Sequence, residues 1–358
     1  MKISVLLPYA NPHNLDWIMK IPNVELNIGC ISSTQNYRPG YFKEYDSIEG
    51  ISYFFKDNLQ KKHFLNELKK SEVLITLGVF NKYFLSISKY CKKNIRLIIL
   101  SEPFNPVNSK EKTLLRNLWS MIIRYHFKNI DFFCIGGNAV KDYYTSLNYR
   151  KSRYYNFGFF PDFTFSPPNV RKKDDYLTIG FVGQLIPRKG VDRLLELMHF
   201  LSKSNYPHKL IIAGDGMERP RVQDEIVKLG NPNIRYVGLI SEKRMLASFL
   251  EDLDILFIPS YFDGWGAVVN EGIAKSCAIV SSDKVFAALS MVKENGFTFS
   301  DDFKVIFERY FNDYSLLNKH TQNCKHVFGQ WNSVNVANEV YNLIVLNDTK
   351  NNKVVIEI

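Results

Sequence analysis

Short apolar runs alternate with amphipathic stretches along the whole chain, and the alternation starts afresh near its middle. Ile3–Leu7, Val24–Ile31, Val73–Leu77, Ile95–Leu100 and Ile130–Ile135 are short, mainly apolar runs that read as strands of a mostly parallel sheet. Between them, 57–70 and 110–128 repeat apolar residues at helical spacing. Phe157-Gly-Phe-Phe-Pro-Asp162 closes this half, and Ser166-Pro-Pro-Asn-Val-Arg-Lys-Lys-Asp-Asp175 reads as an exposed linker. A second series follows: strands at Leu177–Val182, Leu210–Ala213, Ile234–Val237, Ile255–Ile258 and Ile279–Ser281, with helices near 192–202, 217–229, 242–251 and 267–275. Leu194, Leu195, Leu197, Met198 and Leu201 give the first of these helices its buried stripe. Two βα-repeating halves predict two doubly wound, Rossmann-like α/β domains, with ligands at the carboxyl ends of the strands and in the cleft between the halves. The expected division is 1–165, a linker over 166–176, and 177–332, with a last helix at 333–346 in the closing segment 333–358.

Composition narrows the class. A chain of 358 residues is long enough for two ordinary domains. No apolar run reaches the length of a membrane span, and Met1–Pro8 reads as a first strand rather than a signal peptide. Cys30, Cys91, Cys134, Cys277 and Cys324 are scattered and odd in number, which fits reduced thiols in a cytoplasm and argues against a zinc site. The charge is uneven. Residues 1–165 hold 23 Lys and Arg against 13 Asp and Glu, while the remainder holds 23 against 23, so the whole excess of +10 lies in the first half. An anionic partner is expected on that side: a membrane surface, a lipid-linked diphosphate or a nucleic acid. No nucleic-acid-binding motif is apparent.

The chemistry concentrates after two strands of the second half. Pro259-Ser-Tyr-Phe-Asp-Gly-Trp-Gly-Ala-Val-Val-Asn-Glu271 runs from a buried strand through a glycine-bearing loop into a short helix, with seven residues between Asp263 and Glu271. Gly264 and Gly266 let a ligand approach the backbone, and a helix start favours phosphate. Gly183-Gln-Leu-Ile-Pro-Arg-Lys-Gly190 likewise leaves a strand and enters a helix. With Leu210-Ile-Ile-Ala-Gly-Asp-Gly216, Ile234-Arg-Tyr-Val-Gly238, Asn295-Gly-Phe and Trp331-Asn-Ser, these segments resemble, in order and separation, the signatures of the retaining family 4 (group 1) glycosyltransferases of the GT-B fold. The resemblance is close over about residues 177 to 300 and loose before them.

It implies particular roles. Lys189 would grip the donor diphosphate; Gln184 stands where the family places an arginine, and Arg188 would compensate with its bidentate fork. Glu271 would bind the ribose hydroxyls of the nucleotide, and Asp263, a methylene shorter than the family's glutamate, would contact the donor sugar. Gly183 opens the phosphate loop. Gly264, Trp265 and Gly266 would present backbone N–H groups to sugar and phosphate, although Trp265 reads equally as a core aromatic. Gly214 and Gly216 would line the base and ribose side, although a strand-to-helix turn alone accounts for them. In the first half Tyr9-Ala-Asn-Pro-His-Asn14 replaces the family's glycine-pair loop. Asn11 and His13 there either touch the acceptor or cap the next helix, with capping favoured. Glu102, in Ser101-Glu102-Pro103, either orients the acceptor hydroxyl or the donor sugar, or is a plain strand-end carboxylate.

The sequence thus leads to a retaining, metal-independent hexosyltransferase that uses a nucleotide-diphosphate sugar and needs no cofactor. Its acceptor is expected to be an anionic, lipid-linked glycan of bacterial surface polysaccharide or lipopolysaccharide assembly. The alternative is a catalytically silent nucleotide- or glycan-binding partner of another transferase. A dinucleotide oxidoreductase is disfavoured, since neither Pro8–Asn14 nor Gly183–Gly190 supplies Gly-x-Gly-x-x-Gly. The stretch Lys110–Lys128 sets Leu114, Leu115, Leu118, Trp119, Met121, Ile122, Ile123, Tyr125 and Phe127 beside Lys110, Lys112, Arg116, Arg124 and Lys128. Such a helix is either a core helix with a solvated face or a peripheral contact with an anionic membrane, and the charge bias favours the second, on the inner face of the cytoplasmic membrane.

Overall fold

The computed structural model describes residues 1–36, 43–80, 82–103, 110–173 and 175–358, and for 82 and 110–114 the backbone alone. The chain divides into two compact units: Met1–Asp162 with Ser333–Ile358, and Phe163–Asn332.

Unit 1 is a parallel sheet of seven strands, β1 (Lys2–Tyr9), β2 (Glu25–Ser32), β3 (Ile51–Tyr53), β4 (Val73–Leu77), β5 (Arg96–Ser101), β6 (Asn129–Ile135) and β7 (Arg153–Phe157), in the order β3-β2-β1-β4-β5-β6-β7. Unit 2 repeats the plan with β8 (Leu177–Val182), β9 (His208–Ala213), β10 (Ile234–Gly238), β11 (Ile255–Ile258), β12 (Ala278–Ser282) and β13 (Gly296–Phe299), in the order β10-β9-β8-β11-β12-β13. In both sheets the first strand of the unit lies in the interior, and the winding reverses beside it, between β1 and β4 and between β8 and β11. At such a reversal the loops after the two flanking strands diverge and leave a crevice at their carboxyl ends.

Burial explains the strand pattern. β11 and β12 are buried at every position because helices cover both faces of a parallel sheet, as the unbroken apolar runs require. In unit 2 Phe257 meets Phe303 at 5.0 Å and Phe307 at 5.4 Å between ring centroids. In unit 1 Phe132 packs on Tyr144 at 4.3 Å and Tyr154 at 4.9 Å. The helix Val191–Lys203 buries Leu194, Leu195, Leu197, Met198 and Leu201, the stripe read from sequence.

Three strands carry no apolar run and escape a pattern reading. β3 has three residues, β7 reads Arg-Tyr-Tyr-Asn-Phe, and β13 reads Gly-Phe-Thr-Phe. The helix Pro12–Ile18 is the one that Asn11 is expected to cap, whereas Lys82–Ser88, Asn138–Ser146, Phe286–Met291, Lys304–Asn312 and Tyr314–Gln330 are helices that the pattern does not predict. The segment read as an exposed linker lies along unit 2. The Ser166 N–H donates to the Ala274 carbonyl at 2.9 Å, and Arg171 Nε donates to the buried Asp254 at 2.6 Å. The closing segment joins unit 1. Its helix Ser333–Tyr341 continues as a π-helical turn, Asn342–Leu346, and Glu339 accepts the N–H groups of Lys353, Val354 and Val355 at 2.7–2.9 Å. Where the chain leaves unit 1 and where it returns, Ser333 Oγ donates to Asp162 at 3.0 Å, and Lys20 Nζ reaches both residues.

Candidate functional site

The two loops that flank the reversal in unit 2 are Gly183–Gly190 after β8 and Pro259–Ala267 after β11. They meet through their polar residues. Lys189 Nζ is hydrogen-bonded to Asp263 Oδ2, and Arg188 Nη1 donates to the Phe262 carbonyl at 2.8 Å while lying 3.9 Å from Asp263 Oδ1. The Tyr261 N–H adds a backbone bond to the Arg188 carbonyl at 2.9 Å. Gln184, at the position of the family's arginine, is exposed.

The Asp263 loop is fastened along its length. The Asp263 N–H donates to the Lys284 carbonyl at 3.0 Å, and the Ala287 N–H donates to the Trp265 carbonyl at 2.9 Å. The N–H groups of Gly264, Trp265 and Gly266 make no backbone hydrogen bond among the described residues. The Trp265 ring is core: it is 1% exposed, stacks on Trp331 and donates Nε1–H to Asn270 at 2.9 Å. Its side chain therefore does not face a ligand, and only its backbone is offered there. Glu271 sits in the first turn of the helix Val268–Ala274 and is buried. That helix has seven residues and no side-chain cap, so Arg188 and Lys189 supply the site's main positive charge.

The glycines separate into two kinds. At Gly190, with φ +75°, a Cβ would stand 2.1 Å from the Pro259 carbonyl oxygen. At Gly214 it would meet the Gly183 oxygen at 1.8 Å, at Gly216 the Leu185 oxygen at 2.4 Å, and at Gly266 Val285 Cγ1 at 2.5 Å. Backbone crossing inside the protein accounts for the first three, and the Val285 side chain, together with a φ of +89°, accounts for Gly266. Gly183 is different: its φ is ordinary, and a Cβ there would find only Phe181 Cζ, at 3.8 Å. The protein itself does not require a glycine at 183.

One contributor carried no sequence signal of its own. Arg193, in the first turn of the helix Val191–Lys203, lies over the Tyr261 ring at 4.4 Å and donates to the Pro259 carbonyl at 3.2 Å. It braces the Asp263 loop from the helix that follows the Lys189 loop. An arginine one turn into an amphipathic helix looks like any solvated residue until the chain brings Tyr261 beside it.

In unit 1 the candidates occupy the carboxyl edge of the sheet. Asn11 caps the helix Pro12–Ile18, its Oδ1 accepting the Asn14 N–H at 3.1 Å. His13 is buried and stacks on Phe159 at 5.5 Å. Glu102 follows β5 and is exposed. On the helix Lys110–His126, Ile123 and Ser120 are buried, and Arg124 Nη1 donates to the Asn148 carbonyl at 2.8 Å. The opposite face is apolar and exposed: Leu115 is 57%, Leu118 50%, Met121 59% and Tyr125 78% exposed. The side chains of Lys110, Lys112 and Leu114 lie outside the described residues. No helix among the described residues is long and apolar enough to cross a membrane.

Residues 162–323 match the model of the family described as glycosyl transferases group 1. The chain is 27% identical over 151 residues to the capsular polysaccharide biosynthesis glycosyltransferase CapM of Staphylococcus aureus, a stretch of 40% of this chain and 39% of CapM. Over 201 residues it is 25% identical to a Campylobacter jejuni α-1,4-N-acetyl-D-galactosaminyltransferase named for an undecaprenol-linked glycan, 55% of this chain and 52% of that enzyme. The chain thus matches about two fifths to one half of these relatives. Among solved structures, Anabaena Alr3699/HepE in complex with UDP aligns at TM-score 0.70 and 13% identity, covering 97% of this chain and all of that one. The lipopolysaccharide outer core galactosyltransferase WaaB, in its apo form, aligns at 0.64 and 15% identity over 97% of this chain and 99% of WaaB. At these identities the likeness is one of fold, and the fold is GT-B.

Proposed function

We propose, for a chain whose residues 162–323 belong to the group 1 glycosyl transferases, that the protein moves a hexose from a nucleotide-diphosphate sugar to a glycan with retention at the anomeric carbon. The acceptor is an anionic, lipid-linked glycan of bacterial surface polysaccharide or lipopolysaccharide assembly. Support for the donor class comes from HepE, solved with UDP and with UDP-glucose. Support for the setting comes from the capsular and undecaprenol-linked names of the relatives.

In this reading Arg188 and Lys189 hold the diphosphate. They stabilise the charge that grows on it as the glycosidic bond breaks, an interaction stronger in the transition state than in the ground state. Glu271 takes the ribose hydroxyls, with Gly214 and Gly216 on the base side. Asp263 faces the sugar, where positive charge develops. The acceptor oxygen attacks from the face the diphosphate leaves, and the departing phosphate oxygen takes its proton. No metal is required in this reading, and Glu102, after β5, belongs with Asn11 and His13, after β1, to the acceptor unit.

The observation that carries the donor site is Gly183, where the fold leaves room that a phosphate would fill. Thermal unfolding of the wild type and Gly183→Ala with a panel of nucleotide-diphosphate sugars tests it. At least one donor should protect the wild type and protect the variant far less, and equal protection removes the argument.

A second reading, a catalytically silent binding partner, draws on the exposed Gln184 where the family carries an arginine. Donor hydrolysis or transfer that disappears in Lys189→Ala separates the two. The membrane partner is supported by the exposed ridge Leu115, Leu118, Met121 and Tyr125 beside Arg116 and Arg124 on a unit of net positive charge. In this reading the protein is peripheral on the cytoplasmic face, and co-sedimentation with anionic but not neutral vesicles is the expected result.

A further inference from the structure

Lys189 and Asp263 are bonded to each other, yet the reaction makes separate demands on them. The lysine is needed for a diphosphate and the acid for a sugar. Their side chains are 18% and 13% exposed, so the pair is partly withdrawn from water and its attraction is stronger than that of a surface pair. Arg188 stands on the other oxygen of the same carboxylate, at 3.9 Å. One carboxylate therefore occupies both cations of the loop.

The backbone around it has little slack. The Asp263 N–H is bound to the Lys284 carbonyl at 3.0 Å, and Gly266 lies so close to Val285 that a Cβ there would stand 2.5 Å from Cγ1. Arg188 is tied to the Phe262 carbonyl at 2.8 Å. A ligand that takes these cations must do so by exchange of side-chain partners rather than by displacement of the loop.

We propose that Asp263 is a displaceable internal counter-ion of the diphosphate site. Without donor it holds Lys189 and Arg188. When a nucleoside diphosphate arrives, the cations pass from carboxylate to phosphate, and the acid turns to the sugar only once the donor is seated. The inference rests on the donor-site reading above and deepens it. No covalent bond changes in the exchange; one ion pair is replaced by another.

Two consequences follow from charge. A diphosphate carries more negative charge than the carboxylate and wins the cations, but it competes with a rival tethered beside them at high effective concentration. Nucleoside diphosphate binding is thereby weakened, which speeds release of the spent donor. The uncovered carboxylate then lacks its counter-ion at the moment positive charge develops on the sugar, where it is most useful.

A purely structural ion pair, holding the two loops together, predicts the opposite response to neutralisation of the acid. Isothermal titration of UDP, ADP and GDP into the full chain distinguishes them. Asp263→Asn keeps the shape of the side chain and removes its charge. It should bind the preferred nucleoside diphosphate about tenfold more tightly than the wild type, while kcat for transfer falls. In a Lys189→Ala background the same substitution should give no such gain. Asp263→Ala serves as the second variant should the asparagine protein be poorly folded by its thermal transition. Weaker or unchanged binding in the Asp263 variants, with clear binding by the wild type, overturns the exchange and leaves the donor site standing. Absence of binding by the wild type and all variants overturns both.

Discussion

Unit 1 and unit 2 wind their strands in the same order, yet one carries its specificity inside its loops and the other on its surface. In unit 2 the turns beside the reversal are crowded: Gly190, Gly214 and Gly216 are dictated by backbone contact and Gly266 by the Val285 side chain. The cations and acids there are bonded to each other, and the unit is close to electrically neutral over its length. Unit 1 lacks a glycine pair after β1. Its Asn11 is used as a helix cap, while its distinguishing features are net positive charge and an exposed apolar ridge. A constant ligand such as a diphosphate can be met by fixed backbone geometry. In the proposed reading, the acceptor and the membrane are met by side chains that can change without disturbing the sheet.

The sharpest way to break this contrast lies within unit 2. Gly214→Ala puts a Cβ 1.8 Å from the Gly183 oxygen and should cost more than about 4 kcal/mol, leaving little folded protein by circular dichroism. Gly183→Ala, whose own Cβ would meet only Phe181 Cζ at 3.8 Å, should change stability by no more than about 0.5 kcal/mol, yet weaken donor binding about a hundredfold in a titration. Similar stability losses in both would show that Gly183 is structural. Next in size, Lys189→Ala should lower transfer about a thousandfold, whereas Glu102→Gln should lower turnover and leave nucleotide affinity unchanged. A loss of nucleotide affinity in Glu102→Gln would erase the division of labour. Leu118→Asp with Tyr125→Asp should abolish co-sedimentation with anionic vesicles while donor affinity stays at the wild-type value. The smallest effect is expected from Asn11→Ala, about 1 kcal/mol of stability from the lost cap, with no change in acceptor KM; a rise in that KM would return Asn11 to the acceptor site.

The units also differ in how far the amino-acid sequence discloses them. In unit 2 the strands before both functional loops are mainly apolar, and the resemblance of the loops that follow them singles out Lys189, Asp263 and Glu271 before any coordinates. The ion pair that links Lys189 to Asp263 is not legible, because it depends on β8 and β11 being neighbours although β9 and β10 intervene in sequence. Arg193 is hidden for the same reason. β3, β7 and β13 are short or polar, and tertiary pairing rather than local preference makes them strands. In unit 1 the amphipathic helix is readable over 110–128, but not which face it buries. Only the packing of Ile123 and Ser120 shows that Leu115, Leu118 and Tyr125 are left outside.

Unit 1 is assembled from segments on either side of unit 2, with residues 163–332 as an insertion. A ribosome therefore finishes the whole of unit 2 before it has made the helix and tail that complete unit 1. The inserted body is contiguous and can fold as it emerges. The body around it must wait for Glu339 to gather Lys353–Val355, and for Ser333 to close on Asp162. The seven-stranded sheet is consequently sealed after unit 2, although its strands precede unit 2 along the chain.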